Sequence, residues 1–585
     1  MKVLKIVLIV AAVLVVLVMA GLFVFLKTFD ANKFLPQITQ QATQALGRDV
    51  RVGRAELGFS WVNGIGLQVK DIVIADDPKF ADNPFLTVER VEIGVNVGAL
   101  IFEHKIQLVQ VVVVSPHVVI IRSKEGLVNA ATLGVRPVVS ATDPATQTPG
   151  GSAGSLPAFL VNDIKITSAR VTYVDEMFTP RLALELAHMD INVRDLTLTG
   201  PFGVTIKAAL FSDEQNVRVD AKMAVDILKQ SLLIQGMNIE ADLIKFNLSR
   251  LESELSMLKP LSLKKLGGVL KVSVSDAQIS AQGLLRLKGQ SVLEKGFVLS
   301  ALLPVPFESI QMQADLDEKK INVKSFSLVV AGGAVNGGVL LTDYLSDLKA
   351  SATFDAQRIN AQKLVEGYKA PVNMSGLISA AGELNFSGKS PEDVLSSLSG
   401  QVKGELKDGV LESMNLLAFG LENIPMLPGL LDSVMADFSS ETQDEIKKGI
   451  TRFEMCKADA HITRGLMQLD AADIMTRDFS VHATGTVRLI EDLSIKAEIR
   501  MEKELSRRLN ERVKELSYLQ DDQGKIYLPM KLTGRVVKPV LMPDIEYLTK
   551  KLVIAAGGDQ LQKALGGSPA AAEAVSAIFD LFKKK

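Results

Sequence analysis

Cys456 is the only cysteine among 585 residues. With His104, His117, His188, His461 and His482 it supplies the side chains from which a nucleophile and its base would be built. That chemistry needs a thiolate beside an imidazole that can take its proton, and a metal site needs several such ligands converging. Each histidine instead stands in or beside an alternating apolar run, where a solvent-facing strand position would fall. No His/Cys set has metal-ligand spacing, no Gly-rich loop is placed to cradle phosphate, and no serine sits in a strand-to-helix elbow. The expectation is a non-enzymatic protein with no metal and no cofactor. A lone cysteine also allows no intrachain disulfide, so burial and hydrogen bonding must hold the fold.

What remains chemically distinctive is aliphatic surface. Hydrophobic residues make up 47% of the chain and aromatics only 5%, and mean hydropathy is +0.23. Such an excess of Val, Ile, Leu and Ala forms either a very large core or a surface that a ligand or partner covers. A net charge of −2 and a pI near 6.3 provide no basic footprint for nucleic acid, which is not expected as a partner.

The elements that would position this surface begin with Ile6 to Leu26, a stretch without charge flanked by Lys2, Lys5 and Lys27. As a helix it would be about 30 Å long, matching the hydrocarbon core of a bilayer, with Ile6, Leu14 and Leu26 along its length. A cleaved signal peptide is the alternative, since Ala20 closes a small-residue pattern. The apolar run continues through Leu26, however, and an anchor is favoured. Lysines before the span keep the N-terminus in the cytoplasm and place everything after Thr28 on the far side. Only one later run, near Leu552 to Leu565, approaches spanning length, and Gly557, Gly558 and Asp559 break it, so the protein reads as single-pass.

Asp30 to Gly47 has helical spacing with Asp30 as N-cap, although Pro36 implies a later or kinked start. From Val50 the period becomes two. Val91, Ile93, Val95 and Val97 alternate with Glu92, Gly94 and Asn96, and Ile164 with Ile166, Ile321 with Val323, and Ile495 with Ala497 and Ile499 repeat the pattern. Short turns between runs imply antiparallel pairing. Residues 136–157 are rich in Pro, Gly, Ser, Thr and Ala. They read as a low-complexity loop that interrupts one sheet rather than separating two domains. Ser390-Pro391-Glu392-Asp393 opens a short helix, and Leu411 to Asn423, Thr442 to Phe453 and Lys503 to Leu519 are further helix candidates. The expected division is 1–28 anchor, 29–135 first helix and N-terminal strands, 136–157 loop, 158–550 main strand region, and 551–585 Ala-rich helical tail. Ser568 to Lys585, ending in three lysines, reads as a cap on the protein in preference to a membrane contact.

Several short motifs fall in a suggestive order: Gly47-Arg48-Asp49-Val50, Gly64-Ile65-Gly66-Leu67, Leu398-Ser399-Gly400-Gln401-Val402, Lys407-Asp408-Gly409-Val410 and the block Phe479 to Ile499. They end with Leu528-Pro529-Met530-Lys531-Leu532-Thr533-Gly534 and Met542-Pro543-Asp544. With the N-terminal span, this order resembles the AsmA-like family of bacterial envelope proteins, whose members look like chorein-type bridge lipid transfer proteins. The loop and the Ala-rich tail depart from the pattern.

The resemblance implies a mainly β fold with α elements, in which a transmembrane helix precedes a long curved antiparallel sheet. That sheet would form an apolar groove closed by short capping helices. It further implies an inner-membrane protein with its bulk in the periplasm, carrying phospholipid or related lipid acyl chains toward the outer membrane. Membrane lipids would be its ligands, and other envelope proteins its possible partners. Val91, Ile93, Val95, Val97, Ile164, Ile166, Ile321, Val323, Ile495, Ala497 and Ile499 are the expected groove residues, with Glu92 and Lys496 facing water. Two alternatives stand beside this reading. One is a sandwich or set of small dry-cored domains; the other is a scaffold that assists outer-membrane protein assembly by strand pairing.

Overall fold

The computed structural model describes residues 30–555 except 61–63, 96–107, 135–159, 178–180, 198–199, 227–230, 281–282, 302–304, 345–346, 370–372, 389, 413, 426, 489–491 and 536–537. The expected anchor (Ile6, Leu14, Leu26), Val97, the 136–157 loop and the tail from Ser568 lie outside the described residues. Among those residues no helix is long and apolar enough to cross a membrane. The chain forms two compact units, Met1–Leu302 with Ile310–Lys320, and Leu303–Ser309 with Ile321–Lys585. The division therefore falls inside the 158–550 span that the sequence reads as one region.

The first unit opens on Asp30, whose carboxylate accepts the Asn32 N–H and caps a 3-10 turn, Ala31–Phe34. The α-helix proper is Leu35–Leu46. Pro36 thus sits in its first turn, where a missing N–H costs nothing, and Gly47 ends it in the left-handed conformation. Twelve strands follow: β1 (Val50–Ser60), β2 (Gly64–Ala75), β3 (Pro84–Val95), β4 (Leu108–Val114), β5 (His117–Arg122), β6 (Leu160–Asp175), β7 (Leu182–Thr197), β8 (Phe202–Leu210), β9 (Val217–Asp226), β10 (Ser231–Asp242), β11 (Leu263–Ser280) and β12 (Gly283–Ser300). Strands pair antiparallel along the chain except that β4 and β5 both lie against β3 and, as a correction to expectation, β6 runs parallel to both of them. A parallel pair needs a long crossover, and the chain between Arg122 and Leu160 supplies it. The low-complexity segment lies within that crossover, so the strands on its two sides belong to one sheet.

A buried polar cluster ties the first helix to this sheet. The Arg48 guanidinium donates to Asp76 Oδ1 at 2.8 Å, to Ala75 O at 3.2 Å, to Asn129 O at 2.8 Å and to Thr132 Oγ1 at 2.6 Å. Asn129, fully buried, donates to Asp76 Oδ2 at 2.7 Å and to Val119 O, and accepts the Ile121 N–H. The guanidinium also stands 5.7 Å from the centre of the Phe85 ring. One side chain from the Gly47-Arg48-Asp49-Val50 motif thereby joins the helix end, the end of β2, β5 and the turn after it.

The boundary between units falls at β13 (Phe307–Asp317). The second unit contains β14 (Lys320–Val330), β15 (Gly333–Thr342), β16 (Lys349–Asn360), β17 (Met374–Ser387), β18 (Ser399–Leu411), β19 (Thr451–Thr463), β20 (Leu466–Met475), β21 (Phe479–Arg488), β22 (Asp492–Met501), β23 (Tyr527–Arg535) and β24 (Lys538–Pro543). From β15 to β24 each strand pairs antiparallel with the next. The helix opened by Ser390 spans Pro391–Ser397 and closes a capping box with Asp393. Helices Leu416–Glu422, Leu430–Val434 and Lys503–Arg512 collect at one end of the sheet. There Leu417, Leu421, Val434, Leu505 and Leu509 pack on Val481, Ile499, Leu528 and Met530 in a buried apolar core. Lys503–Arg512 is amphipathic, with charge on its exposed side and Leu505 and Leu509 buried against this end of the sheet.

Candidate functional site

Alternation along a strand sends neighbouring residues to opposite faces, and ladder partners share a face, so the registers define rows that cross the sheet. In the first unit one row begins at Leu57, pairs with Leu67, and continues through Ile93, Val111, Ile164, Val193, Val204, Ala221 and Met237 to Val274. Two residues along each strand, a second row runs Ala55, Val69, Val91, Val113, Ile166, Ile191, Ile206, Val219, Ile239 and Val272. Every position is aliphatic across ten strands.

The residues between those rows face the other way and read Glu56, Gln68, Glu92, Val112, Lys165, Asn192, Thr205, Asp220, Asn238 and Ser273. All but Val112 are polar. At about 4.8 Å per strand the aliphatic rows are about 43 Å long.

These rows are not the inside of a sandwich. Among the described residues the strands belong to one sheet, and each strand's principal neighbours are its own ladder partners. Crowding along the face leaves most row residues half-buried. Toward the strand ends Val225, paired with Leu232 and through it with Ile279, is 37% exposed and Ile279 40%. Apolar side chains in this intermediate state lack the dense partners of a closed core.

The second unit repeats the arrangement with smaller residues. Phe354, Gly382, Val402, Ala460, Leu469, Gly485, Ile495, Leu532 and Leu541 form one row. The residues beside them on the opposite face are Thr353, Glu383, Gln401, His461, Gln468, Thr486, Ser494, Thr533 and Val540. A Cβ on Gly382 would lie 2.9 Å from the Phe354 ring, so glycine there lets the ring lie flat across the neighbouring strand.

The eleven residues expected in a groove distribute unevenly. Val91, Ile93, Ile164 and Ile166 lie on the two aliphatic rows of the first unit, and Ile495 lies on the row of the second. Val95 has its backbone paired with Ile65. Ile321 is half-buried and Val323 buried on β14. Ile499 is 2% exposed beneath the helical cap, with Ala497 packed against the same core, so these two contribute to closing the sheet end rather than to an open face. Glu92 pairs with Arg90 on the polar side at 2.8 Å, and Lys496 is exposed. Across β7 to β11 the rows run through pairs such as Val204 with Ile206 and Val272 with Val274, whose period of two is visible in the sequence itself. Ladder partners bring them into line.

Cys456 sits between Leu406 and Ile474 on the apolar side, partly buried, whereas His461 and His482 project from the opposite face and pair with Asp470 and Asp473 at 2.8 and 2.7 Å. Burial, with the charge of Asp473, pushes the Cys456 thiol above its ordinary pKa. The folded state thus favours the neutral thiol: stability from this preference is present below the unfolded thiol value and declines as pH rises toward the raised one. A soluble maleimide should label Cys456 more slowly at pH 7 than a free thiol. The rate should keep rising with pH beyond the usual thiol range, and labelling as fast as in urea would contradict this burial.

Both outer edges are blunted. Among the described residues β1 is laddered only to β2, and its outward Val50 and Ala55 N–H groups donate to Thr43 Oγ1 and Asn32 Oδ1 of the preceding helix and turn. On β24 the Asp544 N–H to Pro529 O bond fixes the phase, so Pro539, Leu541 and Pro543 point outward. Two of those three have no N–H to offer. Replacing both, P539V with P543V, should raise self-association in light scattering; an unchanged scattering mass would mean the prolines do not guard this edge.

Residues 1–282 match the model of the AsmA family. No curated protein and no solved structure matches the chain.

Proposed function

We propose, for a chain that is AsmA-like over residues 1–282, that the aliphatic rows carry the acyl chains of membrane lipid within the bacterial envelope and that no bond is made or broken. The single observation that carries this reading is the pair of unbroken aliphatic rows across ten strands of the first unit, most of their residues only half-buried, backed by a polar face. Each methylene moved from water onto such a surface gains about 0.8 kcal/mol. A row of about 43 Å exceeds the roughly 15 Å depth of one bilayer leaflet, so a chain can shift along it without meeting water. The rows themselves provide no driving force, and direction must come from a gradient or a partner.

On this reading the N-terminal apolar stretch anchors the protein in the inner membrane and the strand units work in the periplasm, passing phospholipid or a related lipid toward the outer membrane. Assembly of other envelope proteins by strand addition has less support, because β1 and β24 are both obstructed. The test is lipid analysis of the full chain purified in mild detergent, with mass spectrometry in the native state. Bound lipid in excess of that carried by an isolated membrane span of the same hydrophobic length is expected, and none in excess would overturn the proposal.

A further inference from the structure

Between β10 and β11 the chain makes a 3-10 turn, Leu243–Lys245, that leaves Ile244 72% exposed, more than any other large apolar side chain among the described residues. Ile244 lies over Gly267, where an added Cβ would stand 3.4 Å from its Cγ1, and Gly267 pairs with Phe297. Phe246 meets Phe211 edge-on at 5.7 Å. Together these residues floor a niche of about 420 Å³ whose rim carries Lys264, Lys265 and Lys295.

The charge of the rim is uncompensated. No carboxylate lines the niche, and none of the three lysines has an ion-pair partner among the described residues, although nearby Lys271 is paired with Glu294 and Lys245 with Glu214. Lys295 reaches the rim through a bulge. The register jumps from Gly267 with Phe297 to Val269 with Glu294, and Lys295 adopts a φ of 53°. Without it Lys295 would follow Leu293 onto the apolar side, so the irregularity re-aims a cation.

An apolar ligand alone would have no use for three unpaired lysines, and a free phosphate none for an exposed isoleucine. We propose that this niche binds an anionic amphiphile, its phosphate between the lysines and its first methylenes on Ile244, Phe246 and Phe297. The inference rests on the lipid-carrying reading and adds to it a separate site for lipids with an anionic head.

The test uses the full chain in phosphatidylcholine nanodiscs, titrated calorimetrically with dihexanoyl phosphatidic acid, with empty nanodiscs subtracted. Changing Lys264, Lys265 and Lys295 together to Gln should weaken binding about tenfold, three exposed charge contacts each contributing modestly, while dihexanoyl phosphatidylcholine is unaffected. Ile244→Ser should weaken the phosphatidic acid too, and inorganic phosphate should not compete. Equal binding by the triple variant overturns the niche, as does full competition by phosphate. An effect of the lysines confined to capture of vesicles containing phosphatidylglycerol would make this surface a bilayer contact and also overturn it. Lipid co-purifying with the triple variant at the wild-type amount separates failure of the niche from failure of the rows.

Discussion

Ile191→Asp should strip most bound lipid from the protein, whereas Asn192→Asp, one residue further along β7, should leave it in place. Ile191 is half-buried between Ile166 and Ile206 on an aliphatic row, and Asn192 stands between Lys165 and Thr205 on the polar face. A carboxylate among aliphatic groups must either keep water beside it or take up a proton, and either costs several kcal/mol. Since about 1.4 kcal/mol is tenfold in affinity, lipid per protein should fall by at least that factor. On the other face the new carboxylate gains Lys165 as a cross-strand neighbour and meets no ligand. Phosphorus content and mass spectrometry of folded, monodisperse protein read the difference. Equal loss in both variants would mean that the faces are not distinguished by lipid, and no loss in either would remove the rows as the binding surface.

Arg48→Met should destabilise the N-terminal part of the first unit by about 3–5 kcal/mol, because it leaves the Asp76 carboxylate buried without its cation. The Asp76 side chain is 1% exposed and that of Arg48 4%. Arg48→Lys should rescue little, since one ammonium cannot reach the four acceptors that the guanidinium spans. Combining Arg48→Met with Asp76→Asn should restore part of the loss by removing the stranded charge. Amide hydrogen exchange of β2 and of residues 117–132 is the suitable readout, since a two-unit chain need not unfold in one step. Protection in R48M equal to wild type would show that the cluster is not what holds this end.

Much of this architecture is written locally in the chain. Asp30, Gly47 and Ser390-Pro391 act within a few residues and mark their elements well, as does the period of two through Val91, Ile93 and Val95. The parallel pairing of β6 is not local: it follows from how the crossover returns, and alternation is the same whichever way a neighbour runs. The fate of Ile499 is also hidden, because period two reports which face a residue takes and not whether a helix later covers that face. Arg48 has the same limitation, for its partners lie at Asp76, Asn129 and Thr132, far along the sequence. The lysine niche depends on a bulge, which alternation registers only as a lapse.

Because each strand of the first unit rests chiefly on its ladder neighbours, stability there is closer to a sum of nearest-neighbour terms than to a single cooperative core. Such a lattice tolerates change in length. Inserting one hairpin would extend an aliphatic row by about 9.6 Å while disturbing only the ladder it interrupts. It also lets one pair part transiently while distant pairs hold, with opening free energies that differ from strand to strand. Length would then be a property that evolution can adjust in steps of two strands, independently of the chemistry on either face.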